Sequence, residues 1–252
     1  MSRTLMLAAA AAISIGGSAV AASHKETTPV FIAKAVSDPA RPAADTARDA
    51  NRKPAALVAF AGVKPGDKVA DFIPGGGYFT RILAKSVGPK GKVYAVTNPP
   101  AATATTPPAV FGIAADPAYG NIQVVATGIG SFKLPEQVDV FWTAQNYHDL
   151  HARSRNLDVA AVNKTIFAAI KPGGVFLVSD HAAAPGTAID PEDKLHRIDP
   201  AIVKREVQAA GFKYEGESKV LANAGDDHTK AVFDASIRGK TDQFVYKFRK
   251  PR

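Results

Sequence analysis

Asp71-Phe72-Ile73-Pro74-Gly75-Gly76-Gly77 is the stretch whose reading decides the fold of this chain. The residues before it, 68–72, have the composition of a short buried strand. Those after it, 78–86, place Phe79, Ile82 and Leu83 at helical spacing. A strand that runs through three consecutive glycines into a helix presents backbone N–H groups at a helix N-terminus, with no Cβ to hold a ligand off. The same turn also serves as a tight strand-to-helix connection with no ligand.

Outward from the turn, strands and helices alternate. Residues 88–91 turn the chain into a second strand over 92–96, and 121–126 and 138–142 read as a third and a fourth. Residues 157–170 are amphipathic, with Val159, Val162, Ile166 and Ile170 on one face, and they stop at Lys171-Pro172-Gly173-Gly174. An apolar strand suited to a sheet interior follows over 175–179. Residues 199–210 read as a helix with Asp199 as N-cap and Gly211 just past its end. Two closing strands fall at 212–221 and 243–248. Upstream, 45–61 is helical with a break at Pro54, and 98–108, rich in Pro, Ala and Thr, is a loop. This order predicts a Rossmann-like α/β fold, a mostly parallel sheet covered by helices on both faces.

The N-terminus reads as an address. Arg3 precedes an apolar run, 5–15, broken by Gly16, Gly17 and Ser18, and Ala19-Val20-Ala21 offers the small-x-small pattern of a cleavage site. We expect a signal peptide over 1–21, a loosely attached N-terminal arm over 22–37, and one domain over 38–252. The expected location is periplasmic or secreted, with no membrane span once the signal is cleaved, because the apolar run is shorter than the ~20 residues a span needs. The chain has no cysteine, which excludes disulfides, thiol catalysis and thiolate metal sites. Its net charge of +8 is scattered rather than gathered into a stripe interleaved with aromatics, so a nucleic-acid partner is not expected. Nothing in the sequence indicates an oligomeric state.

The glycine turn with Tyr78-Phe79-Thr80, the segments 141–151, 171–181 and 195–211, and Arg238-Gly239-Lys240-Thr241-Asp242 together resemble a family of exported predicted class I S-adenosylmethionine-dependent methyltransferases. That family is distantly similar to the quinone-biosynthesis methyltransferases, and the resemblance extends from about Asp38 to Pro251. It implies seven strands with the last antiparallel, and S-adenosylmethionine held over the carboxyl ends of the first strands. Carried over residue by residue, it puts Asp71, Gly75, Gly77, Tyr78, Asn98 and Asn146 at the cofactor. It puts Tyr147, His148 and Asp149 at the transferred methyl group, with His148 as base, Asp149 orienting it and Tyr147 closing over the cofactor. The expected activity is methyl transfer to a small molecule or protein side chain in the cell envelope.

The chain departs from the family pattern at three places. Ile73 stands where the motif has a glycine; Asn98 replaces the carboxylate that grips the ribose; and Thr127-Gly128-Ile129-Gly130 lacks the aspartate that meets the adenine. Each lost charged hydrogen bond weakens binding by about 1.5–3 kcal/mol. These departures keep a second reading open, an exported non-catalytic small-molecule-binding protein that retains the fold. A third is metal-assisted hydrolysis at His148, His151 and His181, with Asp149 or Asp180 completing the set, although no His-Glu-x-x-His pattern occurs and no metal is expected. Arg197 is either a structural residue beside the Asp199 cap or a site for an anionic substrate group.

Overall fold

The computed structural model describes residues 28–252, so the signal-peptide reading of 1–21 lies outside the described residues. The sheet has seven strands: β1 (Lys68–Phe72), β2 (Lys92–Val96), β3 (Ile122–Val125), β4 (Val138–Ala144), β5 (Ile170–His181), β6 (Lys213–Ser218) and β7 (Gln243–Arg249). Their spatial order is β3-β2-β1-β4-β5-β7-β6. β7 runs antiparallel between β5 and β6, while the pairs among β1 to β5 are parallel. The strand order reverses direction at β1, between β2 and β4, which opens a crevice at the carboxyl ends of β1 and β4.

Alternation along the strands divides the core between two faces. Val69, Val93, Val140, Trp142 and Leu177 point to one side, against α1 (Val30–Val36), α4 (Pro54–Ala61), α5 (Tyr78–Val87) and α6 (Ala109–Ala115). Phe72, Val96, Phe141, Phe176 and Phe248 point to the other, against α7 (Val159–Ala169) and α8 (Pro200–Ala209). Both faces are thus covered, as a parallel sheet requires. Asp158 and Asp199 cap α7 and α8, accepting from the Ala161 and Ala201 N–H groups.

The structure differs locally from expectation at four places. The arm over 22–37 is not loose where it is described: α1 buries Ile32 and Ala35 in the core beneath α5. The helical stretch 45–61 is divided into α2 (Ala43–Thr46), α3 (Asp49–Arg52) and α4, with Lys53 left-handed just before Pro54. α6 was not foreseen, because seven residues interrupted by Gly112 carry no legible helical period. β5 also begins earlier than expected, at Ile170, where a register shift opposite Val138 and Val140 absorbs the Pro-Gly-Gly turn. No helix among the described residues is long and apolar enough to cross a membrane.

Candidate active site

The crevice is built from the ends of β1, β2, β4 and β5. At the end of β1, Asp71 points toward α5, where Thr80 Oγ1 donates to its Oδ2 at 2.6 Å. Its other oxygen has no hydrogen-bond partner among the described residues. Burial penalises the charged carboxyl, only partly offset by Thr80 and the nearby Arg52, and raises its pKa to about 7.

Beyond Asp71 the backbone turns sharply. Ile73, Gly75 and Gly77 all have positive φ, at 55°, 55° and 76°. The left-handed conformation that glycine usually supplies is therefore retained at Ile73 despite its branched side chain, at a cost of about 1–3 kcal/mol. A strained residue at the mouth of a crevice is where function is expected to hold strain.

The two glycines differ. A Cβ on Gly75 would meet nothing within 4 Å, whereas one on Gly77 would lie 2.1 Å from Ile113 Cδ1 of α6. Gly75 and the exposed Gly76 leave room for a ligand; Gly77 is a packing glycine closed by α6. Gly77→Ala should lower stability by about 2–4 kcal/mol, from left-handed strain of ~1 kcal/mol plus overpacking of ~1–3 kcal/mol. Gly75→Ala should cost only the strain, and urea denaturation of the pair separates the two roles. Equal losses would remove Ile113 as the reason for Gly77.

Over this turn lies a side chain that sequence reasoning missed. Arg52, the last residue of α3, spreads its guanidinium across the rings of Tyr78 and Phe79, 4.3 and 4.9 Å from their centroids. Among the described residues it has no hydrogen bond and no carboxylate within ion-pair distance. Burial and the neighbouring Arg48 depress its pKa to about 10, while Asp71 is close enough to favour its charge. α2 and α3 are fastened in place by a polar network: Arg41 to Asp49 at 2.7 and 2.8 Å, Arg81 to Asp45 at 2.9 Å, and Tyr78 Oη donating to Asp49 at 2.6 Å. Tyr78, which the resemblance puts at the cofactor, is consequently buried in that network, its hydroxyl turned to Asp49.

Asn98 is exposed at the end of β2, and its Oδ1 accepts from the Ile129 N–H at 3.0 Å, tying together the loops after β2 and β3. Its side-chain NH₂ makes no hydrogen bond among the described residues. Asn146 is buried and bridges β4 to β1, donating to the Phe72 and Ile73 carbonyls at 3.1 Å each and accepting from Thr143. It holds the strained turn in place, and its polar atoms are used within the protein.

On the far side of the crevice, His148 is buried beside Asp180 of β5. Asp180 accepts from the His148 backbone N–H at 2.8 Å and pairs with its Nδ1 at 2.8 Å. Burial opposes the charge on His148, but Asp180, with Asp149 and Asp193, outweighs it and lifts the pKa to about 9. Asp180 is itself held below the usual carboxylate range, since His148 and His181 outweigh its burial. His181 behaves oppositely: burial dominates and brings its pKa down to about 4, and its Nδ1 meets Thr241 Oγ1 at 2.7 Å.

No family model matches the chain, and no curated protein matches it. Solved structures do match its shape. A SAM-dependent methyltransferase from Aquifex aeolicus superposes with a TM-score of 0.57 and 19% identity, over 80% of this chain and 97% of that one. The 1,6-didemethyltoxoflavin-N1-methyltransferase of Burkholderia thailandensis, solved with bound 1,6-didemethyltoxoflavin and S-adenosylhomocysteine, gives 0.54 and 20% over 82% and 80%. A possible exported protein from Bordetella parapertussis gives 0.50 and 18% over 82% and 68%. The fold is that of the class I S-adenosylmethionine-dependent methyltransferases.

Within this methyltransferase fold several sequence-derived roles change. Asp180, not Asp149, orients His148, because only Asp180 reaches Nδ1; Asp149 Oδ1 lies 3.9 Å from Nε2 on the other side. Asp180, Asp149 and Asp193 raise the pKa of His148 despite its burial, which works against a general-base role near neutral pH in the unliganded protein. Tyr147 does not close over the crevice. Its hydroxyl is turned inward, donating to Glu206 at 3.0 Å and accepting from Asn163 at 2.7 Å. His151 joins the same Glu206 at 3.1 Å. The set His148, His151 and His181 is therefore not assembled. Arg197 is also spoken for, as the buried partner of Asp226.

Proposed function

We propose that this protein is an S-adenosylmethionine-dependent methyltransferase acting on a small molecule or protein side chain in the cell envelope. The observation that carries the reading is the pair of incompletely partnered opposite charges, Asp71 and Arg52, which influence each other without forming an ion pair. An amino-acid head group brings an ammonium for one and a carboxylate for the other, and the methionine end of S-adenosylmethionine is such a group. In this reading Asp71 takes the ammonium, Arg52 the carboxylate, the open backbone at Gly75 and Gly76 the methionine stem, and the Asn98 amide a ribose hydroxyl. Placement in the envelope is supported by the signal pattern over 1–21 and by the similarity to a possible exported protein.

The bound cofactor would supply an electrophilic methyl group on a sulfonium. The chain contributes alignment, since in-line displacement depends on holding the acceptor on the axis of the breaking bond. The acceptor presents its own lone pair, and His148, fixed by Asp180, lines the far side of the crevice. Titration calorimetry of the protein with S-adenosylmethionine and S-adenosylhomocysteine tests the reading; no heat and no thermal shift at millimolar ligand would end it.

The same reading makes a pH prediction. Only ionised Asp71 holds an ammonium, and its pKa in the free protein is about 7. Affinity should therefore rise by up to about tenfold per pH unit as pH climbs toward ~7 and level off above it, with a proton released on binding in the acidic range. Calorimetry at about pH 6 and about pH 8, in buffers of different ionisation enthalpy, reads both. A flat profile would take Asp71 out of contact with the ammonium.

A non-catalytic binding protein on the same fold is the second reading, favoured by the neutral Asn98 at the ribose position and by Ile113 filling the space at Gly77. It predicts a different small molecule retained through purification, visible by native mass spectrometry.

A further inference from the structure

We propose that His148, Asp149, Asp193 and His196 bind a first-row divalent transition-metal ion on the far side of the crevice. The inference is independent of the methyl-transfer reading. Two pairs of residues from two separate loops meet here: His148 and Asp149 in the short turn after β4, and Asp193 and His196 between β5 and α8. One donor atom from each of the four lies within 4.8 Å of the others. Tetrahedral bonds of ~2.0–2.2 Å set ligand atoms about 3.4 Å apart, so the widest pair must close by at most ~1.4 Å.

His148 is the observation that points to a ligand. It is only 6% exposed, and Asp180 engages its Nδ1 at 2.8 Å. The free ring nitrogen, Nε2, has no hydrogen-bond partner among the described residues and faces Asp149 from 3.9 Å, too far for a hydrogen bond. A buried histidine whose one nitrogen is fixed by a carboxylate, leaving the other directed at further donors, is the arrangement in which imidazole ligates metal. Opposite it, His196 Nδ1 lies 2.9 Å from Asp193 Oδ2, and the His148 and His196 rings stand edge to face at 5.5 Å. Asp193 and His196 both hold left-handed backbone, at φ 51° and 52°.

The donor chemistry narrows the ion. Two imidazoles and two carboxylates suit zinc or a neighbouring first-row ion, whereas magnesium and calcium favour all-oxygen sites. Asp149, Asp193 and His196 also line a cavity of about 390 Å³ with Ser154 and Arg155, so an ion there is reached from solvent. That open side leaves room for a water or another oxygen donor from solvent as a further ligand.

Untagged full-length protein, stripped with chelator, is dialysed against zinc chloride and assayed by elemental analysis and zinc calorimetry. One equivalent of zinc per chain is expected, undiminished by excess magnesium. His196→Gln and, separately, Asp193→Asn should weaken the site by at least tenfold, while His228→Gln, whose histidine pairs with Asp242 in another loop, should bind as the parent does. Thermal melts without metal establish that each variant is folded, and a variant that is not folded is replaced by His196→Asn or Asp193→Ser. Less than half an equivalent of zinc on the parent, uptake unchanged in both loop variants, or equal loss in His228→Gln overturns the site.

Discussion

Arg52→Met is expected to weaken S-adenosylhomocysteine binding by about ten- to a hundredfold while leaving the melting temperature equal or higher. A charge-assisted hydrogen bond to a ligand carboxylate contributes about 1.5–3 kcal/mol, which is that range in Kd. Stability should not fall in step, because Arg52 has no protein carboxylate to lose. Its guanidinium is sheltered against Tyr78 and Phe79 with its pKa depressed to about 10, a sign that the folded state disfavours its charge. Methionine keeps apolar contact with both rings and removes the unpaired charge. A fall in stability with no change in affinity would make Arg52 a packing residue and would leave the ligand carboxylate without its partner.

The largest effect on stability is expected at Asp226. Arg197 and Asp226 form a two-pronged pair at 2.9 and 3.1 Å, with both side chains 1% exposed. Asp226 also accepts from the His228 and Asp242 backbone N–H groups at 3.1 and 2.7 Å, and Arg197 donates to the Ala182 and Lys230 carbonyls at 2.9 and 3.0 Å. Asp226→Ala leaves a buried guanidinium without its counter-charge and two N–H groups without acceptors. The cost should be about 3–5 kcal/mol, read as a lowered urea midpoint at unchanged slope. Arg197→Met with Asp226→Leu, which removes both charges, should recover part of it. A loss below ~1 kcal/mol at Asp226→Ala would mean that the pair is hydrated rather than buried.

Much of the fold was legible because its signals are local. The strand over 68–72, the helix that follows it and the second strand over 92–96 stand where their apolar spacing placed them. Asp199 caps α8 as expected. What was missed was short or segmented: α6, with Gly112 in its middle, and the split of the helical stretch 45–61 into α2 and α3 ahead of Pro54, which no periodicity can reveal.

The site was legible at its backbone and not at its side chains. By itself the sequence determined that a strand, a glycine turn and a helix meet at Asp71 to Gly77, since turn chemistry and periodicity are properties of neighbouring residues. Only the tertiary structure decided which polar groups remain available. It closed Gly77 with Ile113, turned Tyr78 toward Asp49 and Tyr147 toward Glu206, and joined Arg197 to Asp226. It also brought Arg52 to Asp71 and placed Asp193 and His196 opposite His148. The physical reason is that a side chain's partners lie across the sheet or across the crevice, far along the chain. Burial, pairing and the pKa values they set exist only once those distant segments are packed together.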